Sequence, residues 1–197
     1  MEIAKSLGEN LQTIIGNGLV IFIDDLDNVV KLKDTEGIIK PLGDYYNASA
    51  TYQGSFFSTL TQTTLGSEIK KMTLSNTDIS NGVVLQNGTQ IKVTGGAGVY
   101  NLQFSAQIRK TQGGSSEQIN IWFRKNNQDI PNSNTALTLA NNNVLIVASW
   151  NFFAQMSVND YLEVMWYSTD THIQLVASSS TANYPAIPSV IVTMNKV

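Results

Sequence analysis

The chain has no cysteine, a single histidine and four prolines in 197 residues, and only 14% of it is charged. Without cysteine there is no disulfide framework, no thiolate zinc site and no thiol nucleophile. Stability must come from packing or self-association. The charged fraction lies well below the roughly 25% usual in soluble domains, and Asn, Gln, Ser and Thr supply the missing polarity. Such a composition suits β-rich surfaces. Twelve basic residues against fifteen acidic ones give a net charge of −3, so no basic face is available to follow a phosphate backbone, and nucleic acid is not an expected partner. Long apolar runs are also missing. Gly16, Asn17 and Gly18 interrupt the amino-terminal stretch before Leu19–Ile23, which argues against a secretory leader, and no segment nears the ~20 apolar residues of a helical membrane span. The expectation is synthesis in the cytoplasm without membrane insertion, with any external location reached by lysis.

What the sequence does have is alternation. In Gly98–Lys110, GVYNLQFSAQIRK, residues Tyr100, Leu102, Phe104, Ala106 and Ile108 fall on one face of an extended strand. Asn101, Gln103, Ser105, Gln107 and Arg109 fall on the other. Period two over that length predicts a half-buried strand of an antiparallel sheet. Further strands are expected at Thr51–Thr61, Ile69–Leu74, Val83–Leu85, Thr89–Val93, Gln118–Lys125, Ala136–Ala140, Val144–Phe153, Tyr161–Ser168, His172–Ala177 and Ser189–Val197. Asn87-Gly88 and Asn126-Asn127 read as turns between them, because Asn and Gly accept positive φ. Gly54 reads as a bulge or a close approach. Short strands at regular intervals with no sustained helical period mean an all-β sandwich or barrel.

The first 46 residues read differently. Ile3, Leu7, Leu11 and Ile14 recur at helical spacing, so Met1–Ile15 is expected to form a short amphipathic helix. Gly18–Ile39 reads as a small hairpin-like unit, and Pro41, Gly43 and Asp44 mark a boundary. Residues 1–46 hold too little core to stand alone and are expected to dock on another protein. The main domain is then 47–197.

Catalytic chemistry finds little to work with. His172 has no neighbouring cysteine or acidic cluster in the sequence, so it reads as a strand-edge or interface residue. No Gly-x-Ser-x-Gly elbow is present. Asp129, Asp160, Glu163 and Asp170 are the carboxylates from which a glycosidase pair would have to come, but Asp129 and Asp160 stand in turn sequences where Asp bonds its own backbone. Asp24, Asp25 and Asp27 lack the central glycine and distal glutamate of a calcium loop and read as a turn. No catalytic residue, cofactor or metal is expected.

Two strands break the alternation. Val144–Phe153 and Tyr161–Tyr167 carry apolar or aromatic residues on both faces, which predicts that a partner covers the second face, and the economical partner is another copy of the chain. Tyr161, Glu163, Met165, Trp166, Tyr167, Trp150 and Phe153 are the interface candidates. Glu163 is expected either to pair with Arg109, Arg124 or a lysine, or to fix register at a subunit contact. Trp122 points away from Ile119, Ile121 and Phe123 and is the candidate exposed aromatic, where stacking on a sugar ring is the functional alternative to packing.

Four segments in order, GVYNLQFSAQIRK, INIWFRKNNQDIPNS, WNFFAQMSVNDYLEVMWYS and YPAIPSVIVTMNKV, resemble the C1q/TNF-like jelly roll found in structural proteins of tailed bacteriophages, especially phages of cyanobacteria and other marine bacteria. GSFFSTLTQTT at Gly54–Thr64 resembles the first strand of the same domain, and the resemblance spans roughly Ala48–Val197. It implies a trimer of ten-stranded antiparallel jelly rolls on a virion surface, either a capsid decoration or short head-fibre protein. The alternative is a tail-fibre tip or adaptor that binds a host surface glycan; a polysaccharide-degrading enzyme is a remote third. In the first two readings residues 1–46 would attach the trimer to the major capsid or another virion protein.

Overall fold

The computed structural model describes residues 13–15, 19–24, 26, 29–33, 37–41, 51–64, 66–113, 115–140 and 142–197. Cα packing divides the chain into Met1–Ala50 and Thr51–Val197.

The first unit contains a four-stranded antiparallel meander, β1 (Thr13–Ile15), β2 (Leu19–Ile23), β3 (Val30–Lys33) and β4 (Ile39–Pro41), paired in sequence order. Phe22 and Leu32 are its buried side chains. At the β2–β3 turn the Asp24 carboxylate accepts hydrogen bonds from the Leu26 N–H at 2.9 Å and from Lys31 Nζ at 2.7 Å. The Lys31 bond lowers the Asp24 pKa, helped by the Leu26 N–H. Asp24 is therefore part of a turn, while Asp25 and Asp27 lie outside the described residues. The expected helix needs a correction at its end, because Thr13–Ile15 pairs with Leu19–Ile21 as a strand. Residues 1–12 lie outside the described residues.

The second unit is an all-β sandwich of two antiparallel sheets. Its strands are β5 (Gln53–Ser58), β6 (Gln62–Thr63), β7 (Lys70–Lys71), β8 (Asn76–Asn81), β9 (Val83–Gln86), β10 (Gln90–Val93), β11 (Gly98–Lys110), β12 (Glu117–Lys125), β13 (Gln128–Asp129), β14 (Thr135–Leu139), β15 (Leu145–Met156), β16 (Tyr161–Tyr167), β17 (Ile173–Leu175) and β18 (Val190–Lys196). Ten of these have four residues or more. One sheet, here the β11 sheet, runs β6-β17-β11-β18-β5-β8 with β15 on the free side of β11. The other, the β16 sheet, runs β13-β12-β16-β10-β9 with β14 beside β12 and β7 beside β16. All pairings are antiparallel.

The core lies between the sheets. Tyr100, Leu102, Phe104, Ala106 and Ile108 of β11 all point into it, facing Ile119, Ile121 and Phe123 of β12 and Leu162, Val164 and Trp166 of β16. Phe104, Phe123 and Trp150 pack edge to face, with centroids 4.4 Å apart for Phe104 and Trp150. These pairs add about 0.5–1.5 kcal/mol each beyond area burial.

The glycine-rich stretch before β11 has a packing reason. A Cβ on Gly95 would stand 2.4 Å from the Tyr52 ring, and one on Gly82, at φ +65°, would stand 2.3 Å from it. Gly54 is likewise a close approach, its hypothetical Cβ lying 2.6 Å from the Phe56 ring. Turns follow the asparagines. Asn87 and Gly88, and Asn126 and Asn127, all adopt positive φ, which these residues tolerate at little steric cost. The polar strand β8 was not among the expected strands.

Candidate functional site

Strand β16 occupies the middle of its sheet between β12 and β10. Its inward residues join the core, and Glu163 and Met165, on the opposite face, are also buried. Their cover comes from the same chain. Glu163 Oε1 accepts hydrogen bonds from Lys71 Nζ at 2.9 Å and from Thr89 Oγ1 at 3.1 Å, and its cross-strand neighbour is Arg124. Met165 stands across from Trp122 on one side and Lys71 on the other. A lone carboxylate survives burial only when paired and hydrogen-bonded, and β7 supplies the pairing. The expectation that a second copy covers Met165 and Trp166 is therefore corrected, since one chain already encloses them, and of the two expectations for Glu163 it is the lysine pairing that forms. Tyr161 and Tyr167 are half-buried at the two ends of the strand. Trp150 needs the same correction, because it packs on Phe104 and Phe123 on the core side.

Phe153 is the interface candidate that faces outward, and it has exposed apolar neighbours on three strands. On the outer face of the β11 sheet, Phe153 is 55% exposed, Val147 61% and Leu145 50%, with Val99 and Ile191 also exposed. All come from three adjacent strands, β15, β11 and β18. Two polar atoms lie among them without a partner among the described residues, Asn101 Oδ1 and Arg109 Nε. Asn101 stands directly across from Phe153, and Arg109 from Leu145. Between the apolar residues lies a shallow concavity of about 570 Å³ lined by Gln103, Ser105, Ser149, Asn151, Ile191 and Thr193. Val147 and Leu145 were legible as the second apolar face of Val144–Phe153. Ile191 and Val99 carried no such signal.

The outer face of the β16 sheet is chemically different. Trp122 is half-buried there, and its indole N–H donates to Asp129 Oδ1 at 2.7 Å. The same oxygen accepts from Arg124 Nε at 2.7 Å. Arg124 in first place, with Trp122, holds the Asp129 carboxyl below the ordinary carboxylate range against the smaller opposing effect of burial. A groove of about 290 Å³ opens beside Trp122, lined by Asp129, Ile130, Asn132 and Asn134.

Of the remaining candidates, Asp160 accepts from Lys125 Nζ at 2.8 Å, the Ser157 N–H at 2.8 Å and Asn126 Nδ2 at 2.7 Å. Burial raises its pKa, but those three donors outweigh it and bring the value to about 2. His172 Nδ1 lies 2.8 Å from Asp170 Oδ1, and the fully buried Lys110 reaches Asp170 Oδ2 at 3.6 Å and the Ser115 carbonyl. Burial raises the Asp170 pKa, and the His172 hydrogen bonds with the nearby cations more than reverse it. Asp129, Asp160, Glu163 and Asp170 are thus each committed to a different structural partner. Among the described residues no three of His, Asp or Glu gather into a metal-ligand set.

No protein-family model and no curated protein matches the sequence. Among solved structures, murine APRIL at pH 5.0 superposes with a TM-score of 0.48 at 8% identity, over 75% of this chain and 99% of that one. Murine APRIL at pH 8.5 superposes with a TM-score of 0.47 at 9% identity over the same shares.

Proposed function

We propose that the chain is a non-enzymatic structural protein of a tailed-phage virion, a homotrimer displayed on the particle surface as a capsid decoration or short head fibre. The observation that carries the self-association is the outer face of the β11 sheet. Leu145, Val147, Phe153, Val99 and Ile191 stand exposed on it, beside two polar atoms that find no partner among the described residues. Exposed apolar side chains set around polar groups are surface that a subunit contact would remove from water. Orphaned buried polar atoms ask for a partner that a neighbouring subunit would supply. The virion assignment is supported by the ordered resemblance of the β11, β12, β15–β16 and β18 segments to phage jelly rolls. Attachment to the particle falls to residues 1–46.

Sedimentation velocity of the full chain tests the assembly. The expected species has three times the 21.5 kDa chain mass, and V147D/F153D is expected to sediment as a folded monomer. A wild-type monomer at micromolar concentration would overturn the reading. Reconstruction of particles carrying the protein then separates head from tail by position and copy number.

A further inference from the structure

The groove beside Trp122 lies on the outer face of the β16 sheet, away from the apolar face of the β11 sheet. We propose that this groove binds one neutral pyranose ring of a surface glycan, with Trp122 as the stacking surface and Asp129 and Asn132 as the hydroxyl partners.

Four features of the groove support this. First, the tryptophan is held still. Its N–H is fixed on Asp129 Oδ1, and Arg124 holds that carboxylate from the other side, so little rotamer freedom remains to be lost on binding. Second, the polar groups have unused capacity of the kind sugars require. Asp129 is 52% exposed and both of its intrachain bonds go to Oδ1, which leaves Oδ2 to accept from a hydroxyl as a charge-assisted acceptor. Asn132 is exposed, at φ +62°, and its amide offers a donor and an acceptor together, matching a hydroxyl that is both.

Third, the loop that carries Asn132 is built to stay in place. Ser133 is buried beneath it, accepting from the Phe123 N–H at 3.1 Å and donating to the Ile130 carbonyl at 2.8 Å, while the Ile130 N–H bonds the Phe123 carbonyl at 2.9 Å. A preformed polar groove around an aromatic surface is the general form of a small-ligand site. Fourth, size and charge narrow the ligand. A volume of about 290 Å³, just under the roughly 300–1,000 Å³ range of ligand sites, is room for one ring. Asp129 is the one charge lining the groove, so an anionic sugar would meet a carboxylate there, and the nearby cation, Arg124, is already engaged by Asp129. The site does not depend on the trimer reading. A trimer closed through the β11 sheets would leave three such grooves facing outward, and their avidity would exceed the single-site affinity.

The test is titration of the full chain with lactose, cellotriose, chitotriose, maltotriose, mannotriose and sialyllactose, followed by tryptophan fluorescence and ligand-observed NMR. At least one neutral sugar is expected to saturate below roughly 20 mM, a range typical of single weak sites. W122A is expected to lower that affinity about tenfold or more, with W122F less affected, and N132A to lower it several-fold. Y184A, on a distant exposed loop, should leave it unchanged, and the melting temperature of each variant reports folding. Absence of saturation by every neutral sugar, wild-type affinity in a folded W122A or W122F, or stronger binding of sialyllactose would overturn the proposal. Because monomeric V147D/F153D should keep the single-site affinity, a failure of the trimer reading and a failure of this one are distinguishable.

Discussion

Replacing Asp160 with Asn should cost stability at neutral pH and cost none near pH 2. The carboxylate ties three segments together, with Lys125 at the end of β12, Asn126 in the following turn and Ser157 in the turn before β16 all donating to it. Asn126 completes the link by accepting from the Tyr161 N–H at 3.0 Å. With a folded pKa of about 2 against about 3.9 for a free aspartate, linkage gives at most about 2.6 kcal/mol at pH 7. Lys125 is 31% exposed, so solvent screening brings the expected value to about 1–2 kcal/mol. The pKa is depressed on folding, so this contribution is complete above about pH 4 and disappears as pH falls through about 2. By thermal unfolding followed by circular dichroism, D160N should melt about 3–6 °C below wild type at pH 7, and the two curves should converge as pH falls from 4 to 2. Equal melting temperatures at pH 7, or a gap that persists at pH 2, would refute the account.

Two further changes test the packing. K71M removes the cation that pairs with buried Glu163 and should cost about 2–3 kcal/mol in urea unfolding, below the usual 3–5 for a broken buried pair because Lys71 is itself partly exposed; adding E163Q should recover part of the loss, and an unchanged K71M would show that Thr89 alone satisfies the carboxylate. G95A places a Cβ 2.4 Å from the Tyr52 ring and should cost about 1–3 kcal/mol by overpacking, with Y52A restoring tolerance to the methyl; a neutral G95A would mean the ring moves freely.

How far the sequence could be read depended on where each residue's neighbours come from. Gly98–Lys110 was legible because alternation is a property of the strand itself, and its inward set is buried without exception. The turns at Asn87-Gly88 and Asn126-Asn127 were legible because positive φ is a local demand. Strand β8 was not, since a mostly exposed edge strand is held by backbone bonds to β5 and its side chains NTDISN need follow no pattern. Strand β16 was read correctly as dry on both faces and assigned the wrong cover. The residues that enclose Glu163 are Lys71 and Thr89, 92 and 74 positions away, and nothing in one strand's sequence states which distant segment will lie over it. Trp122 was selected for its outward position alone; Asp129, Asn132 and Ser133, which make a groove of that position, needed the fold of the turn after β12.

The two outer faces of the sandwich differ in how many charges they pair and in how much apolar surface they expose, and this difference is a reason to assign them different tasks. On the β16 sheet, Lys71 with Glu163, Arg124 with Asp129 and Lys125 with Asp160 are all paired within the chain. Glu163 Oε2 is buried there without a partner among the described residues, while Asp129 Oδ2 and the Asn132 amide are unused and exposed. On the β11 sheet the unused groups are Asn101 Oδ1 and Arg109 Nε, both buried, beside apolar side chains that water does not favour. An orphaned buried polar group costs about 1–3 kcal/mol, so a face with two of them gains by being covered. Since the two surfaces share no side-chain partner, changes at Phe153 and at Trp122 should act additively: the V147D/F153D/W122A protein should lose assembly and sugar binding each to the extent of its parents, and coupling between the two losses would mean that the faces are parts of one interface.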